Sequence, residues 1–304
     1  MKNRKYSLVF IMLLCMIMAV SAFPMTVNAD MGPKASVRIQ FEHMGDELCY
    51  GTLLSKEKST GPASAWDGRT ESAQKEYMDP GIWEIFVNYK DPDGYYFLQR
   101  SWKVSESKEL AWTYYPPDDF KILLYYPETE TFVSSGIYAR YAFDTYYTVD
   151  MDGVDIGSVE YNDDLSTNER IEAYRSYNYR QEMLALGARI VLTILIEMLV
   201  ALLFGFRQKK QLLILAVVNI ITQIILNVLL NVINYNSGPL AFTFFYVLFE
   251  LIVFALEAVL YCTILKRLSE KKKEDAYYIL YSFVANLISF GAGLFLAAKL
   301  PSMF

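Results

Sequence analysis

The chain has 304 residues, of which 54% are hydrophobic and 20% charged, with a mean hydropathy of +0.19. Its charge is divided: residues 30–184 carry 28 acidic and 15 basic side chains, a net of −13, and residues 185–304 carry 6 and 10, a net of +4. That division excludes a one-domain cytosolic enzyme, a disordered chain and a nucleic-acid binder, which needs a basic face.

The chain opens with Lys2, Arg4 and Lys5, followed by an uncharged apolar run from Leu8 to Ala22 and the small-x-small triplet Val27-Asn28-Ala29. Residues 1–29 therefore read as a signal peptide, with Asp30 at the mature start. The length of the apolar run keeps an uncleaved anchor open. Cys15 is followed by further apolar residues, which speaks against a lipoprotein cleavage site.

Residues 30–165 read as an extracellular β-sandwich. Over 35–42, Val37, Ile39 and Phe41 alternate with Arg38 and Gln40, the period of a half-buried strand. Further strands are expected at 48–55, 82–90, 95–104, 109–115, 120–126, 132–135 and 142–151, all rich in Tyr, Phe, Trp and Val. Asp91-Pro92-Asp93-Gly94 and Pro127-Glu128-Thr129-Glu130 are expected as hairpin turns, and polar residues 56–79 as a long loop around Trp66. Seven or eight short strands suggest an immunoglobulin-like sandwich. The turns at Asp91–Asp93 and Asp150–Asp155 cluster oxygen ligands but lack the EF-hand spacing, so an ordinary turn competes with calcium and the metal stays unknown. Trp66, Tyr95 and Tyr114 are candidate ligand-facing aromatics. One member of each tyrosine pair, at 95–96, 114–115, 125–126 and 146–147, should face solvent if these are strands. A half-buried sheet surface explains the same aromatics without a ligand.

Ser166-Thr167-Asn168-Glu169 has the form of a capping box. It predicts a helical stalk over 166–183 that runs into the membrane part. Four apolar stretches follow, at 184–206, 211–233, 239–265 and 276–298, each longer than the ~20 residues that cross a bilayer as a helix. The expected class is thus α+β, a β-sandwich followed by a four-helix transmembrane bundle. The connectors at 207–210 and 266–275 are basic, whereas 234–238 holds no basic residue. The basic connectors are therefore expected in the cytoplasm and residues 30–183 outside. The signal peptide gives the same orientation independently.

Asn219, Gln223, Asn227 and Asn231 recur every four residues, forming one slowly turning stripe on the second span. Glu250 and Glu257 lie on the third span, Glu197 on the first and Asn286 on the fourth. Counting ~1.5 Å per residue from the outer ends puts Glu197, Asn219, Gln223, Glu250 and Asn286 within ~6 Å of one level. Polar groups at such depth turn inward and find partners. The cluster reads either as a cation or proton site or as interhelical hydrogen bonding that fixes helix pairing. Ser289, Gly293 and Ala297 form a small-residue stripe on the fourth span, suited to close packing within the bundle, to a membrane partner or to a second copy.

Three cysteines, at 15, 49 and 262, build no disulfide framework. The single histidine, His43, offers no Ser–His or HExxH set, and no Walker A or dinucleotide fingerprint occurs. No catalytic residue and no cofactor are expected. The segments Ala29-Asp30-Met31-Gly32-Pro33-Lys34-Ala35-Ser36, Ser59-Thr60-Gly61-Pro62 with Ala65-Trp66, Tyr114-Tyr115-Pro116-Pro117, and Thr222-Gln223 with Leu226-Asn227 resemble a group of exported Gram-positive bacterial membrane proteins. Those have a β-rich outer domain and a C-terminal helical membrane part. The resemblance implies the same layout and brings no activity. The function expected from the sequence is a non-enzymatic, membrane-anchored surface binding or sensor protein, with an extracellular glycan or peptide as partner. The alternative is a small transporter or channel-like protein with an intramembrane cation or proton site.

Overall fold

A computed structural model describes residues 33–57, 59–60, 63–68, 74–156, 169–270 and 272–299. The signal peptide and the capping box at 166–168 lie outside these residues. The chain forms two compact units, a β-rich unit over Pro33–Tyr177 and a helical unit from Asn178 onward.

The β-rich unit holds strands β1 (Ser36–Glu42), β2 (Tyr50–Ser55), β3 (Ser59–Thr60), β4 (Ala63–Ser64), β5 (Tyr96–Phe97), β6 (Trp102–Lys103), β7 (Glu109–Thr113), β8 (Asp119–Tyr126), β9 (Thr131–Ser135), β10 (Tyr138–Ala139), β11 (Asp144–Asp150), β12 (Glu169–Ile171) and β13 (Ala173–Arg175). Two helices interrupt them, α1 (Pro80–Asn88) and the single turn α2 (Val104–Ser107). One sheet runs β13-β11-β1-β7, with β1 parallel to β11. The larger sheet runs β12-β9-β8-β2-β5, with β10 beside β8 and β6 beside β2.

The two sheets share a core. Val37, Ile39, Phe41, Leu110, Trp112, Tyr147 and Val149 from the first meet Leu53, Phe120, Ile122, Leu124, Tyr126 and Val133 from the second. The alternation of β1 is as expected, with Val37, Ile39 and Phe41 buried and Gln40 exposed. β8 is buried on both faces. Its other face, Leu123 and Tyr125, packs beneath Ile82, Trp83 and Phe86 of α1. Hence Tyr125 and Tyr126 are both buried, against the expectation of one solvent-facing ring per pair.

Of the expected strand at 82–90, residues 82–88 belong to α1 instead. Asp79 caps the helix, its side chain accepting from the amides of Gly81 and Ile82, and Pro80 sits at the first helical position, where its missing N–H costs nothing. These end signals outweigh the β propensity of the Ile, Phe and Val that follow. The expected strand at 95–104 is divided into β5 and β6, with Gln99 in left-handed backbone (φ 59°) between them. Asp91–Gly94 leads α1 into β5 and is no hairpin, whereas 127–130 does join the antiparallel pair β8–β9. The long loop at 56–79 contains β3, β4 and one 3-10 turn at Lys75–Tyr77.

The stalk is also corrected. Residues 169–171 and 173–175 are strands, paired with β9 and β11, so the β-rich unit extends to Tyr177 and the helix starts only at Tyr179. Asn178 caps it, accepting from the amide of Gln181 at 3.1 Å.

Among the described residues, three helices of the second unit are long and apolar enough to cross a membrane. They are α3 (Tyr179–Leu203), α4 (Lys209–Leu260), which continues through a π turn (Tyr261–Leu265) into the short α5 (Lys266–Leu268), and α6 (Asp275–Lys299). A straight α4 of 52 residues would reach ~78 Å, over twice the hydrocarbon thickness. It is broken at Gly238, whose backbone (φ 81°, ψ −180°) is not helical. Pro239 disfavours helical backbone at the preceding residue, and only glycine takes this φ without strain. The two arms lie alongside each other. Leu226 and Leu230 pack with Val253, and the Thr222 hydroxyl donates to Glu257, 35 positions on, at 3.1 Å. The expected connector at 234–238 thus shrinks to one residue. At the basic-connector end, Gln211 donates to Ser269 at 2.9 Å, and the Tyr277 hydroxyl donates to the Phe204 carbonyl.

Candidate functional sites

In the helical unit the polar residues singled out by periodicity are buried. Glu197, Asn219, Glu257 and Asn286 have no exposed surface, and Gln223, Asn227 and Glu250 have 4% or less. Glu257 is the best satisfied. One oxygen accepts from Thr222, the other from the Asn286 amide at 2.7 Å. Asn286 also donates to the Ser282 carbonyl at 2.9 Å, which fixes its side chain along α6. Asn227 donates to the Gln223 carbonyl and side-chain oxygen at 2.8 and 3.2 Å. Glu197 meets the side chains of Asn219 and Ser289, whereas Glu250 Oε2 and Gln223 Nε2 have no hydrogen-bond partner. Among the described residues, no three acidic, histidine or cysteine side chains converge as a metal set.

The last member of the stripe, Asn231, accepts from Arg189 at 2.9 Å. Periodicity did not single out Arg189, although an ionisable residue inside an apolar span is itself a functional flag. Thr222 and Ser282 were also missed, because isolated hydroxyls are common in helices. Gly293 of the small-residue stripe is a true close approach: a Cβ there would lie 2.6 Å from the Tyr246 hydroxyl.

The β-rich unit carries a cleft of about 400 Å³ lined by Tyr77, Met78, Gln99, Arg100, Trp102 and Tyr114. Tyr77 is 83% exposed. The Arg100 guanidinium sits over the Trp102 and Trp112 rings at 5.1 and 5.2 Å, which aligns a cation with an aromatic wall. Burial lowers the pKa of Arg100 from its ordinary value. Two lining residues, Gln99 (φ 59°) and Tyr114 (φ 76°), have left-handed backbone, as does the adjacent Tyr115 (φ 50°). Such conformations cost ~1–3 kcal/mol each and concentrate at binding sites.

Of the three candidate aromatics, Tyr114 alone lines this cleft. Tyr95 is only 7% exposed and belongs to the core beneath α1, so it faces no ligand. Trp66 is half-buried, edge-on to Trp83 at 5.4 Å. Tyr77 and Trp102 were not singled out, because the chain turns at Gln99 and Tyr114 that gather them carry no sequence signal.

The two acidic turns are otherwise engaged. Lys121, 1% exposed, donates to Asp91 at 2.8 Å and to Asp93 at 2.9 Å. Burial lowers the Lys121 pKa, but hydrogen bonds to both aspartates outweigh it and the net shift is upward. Asp150 binds His43 at 2.7 Å and accepts from the Asp152 amide. Cys49 and Cys262 are both buried, and burial pushes the Cys49 thiol up to about 12. Comparison with known protein families, with curated proteins and with solved structures finds no match to this chain.

Proposed function

We propose that the protein is a non-enzymatic, membrane-anchored surface binding protein that takes an extracellular glycan or peptide in the cleft of its β-rich unit. In this reading the two sheets form an immunoglobulin-like sandwich outside the cell. α3, the two arms of α4, and α6 form a four-helix transmembrane bundle, with both basic connectors in the cytoplasm. The resemblance to exported Gram-positive membrane proteins agrees with this layout. The observation that carries the reading is the cleft itself: exposed Tyr77 beside half-buried Trp102, Tyr114 and Arg100, at a place where the backbone is held in unfavourable conformations. Flat aromatic faces stack on sugar rings and on apolar peptide side chains, and Arg100 and Gln99 supply polar contacts.

The test is a titration of the full chain in detergent with cell-wall glycan fragments and a peptide panel, read by tryptophan fluorescence. A ligand should bind, and Tyr77→Ala should weaken it at least about tenfold, a loss of ~1.4 kcal/mol. Tyr77 is so exposed that the melting temperature should stay within ~1 °C, since surface changes of this kind cost little. Unchanged affinity in Tyr77→Ala would contradict the assignment.

One observation favours a second reading, a small transporter or channel-like protein with an intramembrane cation or proton site. Glu250 Oε2 and Gln223 Nε2 are buried without partners. A structural cluster would be expected to satisfy them. A cation-specific rise in melting temperature, lost in Glu250→Gln/Glu257→Gln, would support that site. Identical profiles would leave only packing.

A further inference from the structure

Among the described residues, the cleft of the β-rich unit holds a cation with no counter-ion. Arg100 lines it, half-buried, with its guanidinium over the Trp102 and Trp112 rings. The backbone at this point is pinned. The buried Thr52 hydroxyl donates to the Arg100 carbonyl at 2.6 Å, next to the left-handed residue Gln99. Stacking occupies the flat face of a guanidinium and leaves the N–H groups along its edge for hydrogen bonds. No side chain among the described residues accepts from those groups. Burial alone shifts the Arg100 pKa, downward, and no acid opposes that shift. Acids are not scarce here: residues 30–184 carry 28 against 15 bases, yet none lines the cleft. The Lys34 ammonium, over the Tyr114 ring at 4.8 Å, adds a second cation nearby. A guanidinium stays protonated even when half-buried and recognises a carboxylate through two parallel N–H bonds.

The cleft measures about 400 Å³. A cavity of ~150 Å³ encloses benzene, so this volume takes roughly sixteen heavy atoms, and a hexuronic acid ring has about thirteen. Tyr77 and Trp102 offer flat faces to such a ring, and Gln74, Gln99 and Ser101 set carboxamides and a hydroxyl among them. Ring hydroxyls both donate and accept, which suits those groups. An apolar peptide side chain calls for an apolar pocket, and Met78 is the one aliphatic side chain in this lining.

We propose that the cleft binds a sugar ring bearing one carboxylate, a hexuronic acid unit of a surface glycan. The carboxylate lies on the Arg100 guanidinium and the ring against Tyr77 and Trp102. This rests on the cleft being the ligand site and narrows its ligand to an acidic sugar.

The test uses the full chain in detergent and follows tryptophan fluorescence, since Trp102 lines the cleft. The probes are glucuronic acid, galacturonic acid, the methyl ester of each, glucose, sodium acetate and the peptide panel. One of the two acids should bind at least about tenfold more tightly than its methyl ester, which keeps the ring and loses the charge. Acetate, which keeps the charge and loses the ring, should not reproduce the signal at the same concentration. Arg100→Gln should bring the acid down to the affinity of the ester and leave the ester unchanged, whereas Tyr77→Ala should weaken both alike. Should Arg100→Gln fail to fold, the acid-to-ester ratio in the native chain decides alone. An ester or glucose that binds as tightly as the acid, acetate that reproduces the signal, or an acid preference that survives in Arg100→Gln overturns the proposal. In those cases a Tyr77-dependent affinity still keeps the cleft as a ligand site, as does peptide binding without sugar binding, which also overturns the acidic sugar. If no probe binds, both the acidic sugar and the cleft fail.

Discussion

Glu257 and Lys121 illustrate how buried charge is handled on the two sides of this chain. Glu257 spends both oxygens on neutral donors, Thr222 and Asn286. Removing Asn286 leaves a buried oxygen without its donor, which costs ~1–3 kcal/mol. Asn286→Leu should therefore lower unfolding stability in detergent by that amount, while Asn286→Asp, unable to donate as an amide does, should not rescue it. Lys121 instead neutralises two carboxylates, one of them Asp91 with a fully buried side chain. Lys121→Met strands that pair, and breaking such a buried ion set costs ~3–5 kcal/mol. A denaturation midpoint unchanged by Lys121→Met would refute this account of the Asp91 turn.

The pair His43–Asp150 gives a pH signature. The hydrogen bond that His43 donates to Asp150 raises the His43 pKa above 6.5, and the Asp152 amide followed by His43 lowers that of Asp150 below 3.8. The histidine contribution is full below its unfolded value and is lost as pH rises through the raised folded value. The aspartate contribution is full above its unfolded value and is lost as pH falls through the lowered one. The stability gap between the native chain and His43→Gln should thus be widest near pH 5 and should shrink by pH 9. Both groups are solvent-exposed, so the gap is small and salt-sensitive.

At the scale of elements, helix ends decide what composition leaves open. α1 reads as a strand by residue type and folds as a helix through Asp79 and Pro80; Asp79→Ala should cost ~1 kcal/mol and loosen the cover over Tyr125. The strands at 36–42, 119–126, 131–135 and 144–150 were legible because alternation and turn residues mark them. The break in α4 was legible as the connector at 234–238 between two apolar stretches, although not its compactness. A methyl group at Gly238 would be strained at φ 81°, so Gly238→Ala should destabilise the helical unit by ~1–2 kcal/mol. The stripe of amides and the buried glutamates were legible because polar residues at helical spacing stand out against an apolar background. Arg189 and the cleft around Tyr77 were not, because each depends on which distant segment the chain brings alongside.

At the scale of the whole molecule, the account holds that the β-rich unit and its cleft lie outside a membrane that the helical unit spans, with the basic connectors inside. Both native thiols of the described residues are buried, which gives cysteine labelling in intact cells a low background. Glu76 beside the cleft, Ser237 at the break in α4 and Lys272 in the basic connector are all exposed. Each is replaced singly by cysteine and treated with a membrane-impermeant maleimide before and after permeabilisation. The account predicts that Glu76→Cys and Ser237→Cys label in intact cells and that Lys272→Cys labels only once the membrane is opened. Labelling of Lys272→Cys in intact cells, or protection of Glu76→Cys, would contradict it.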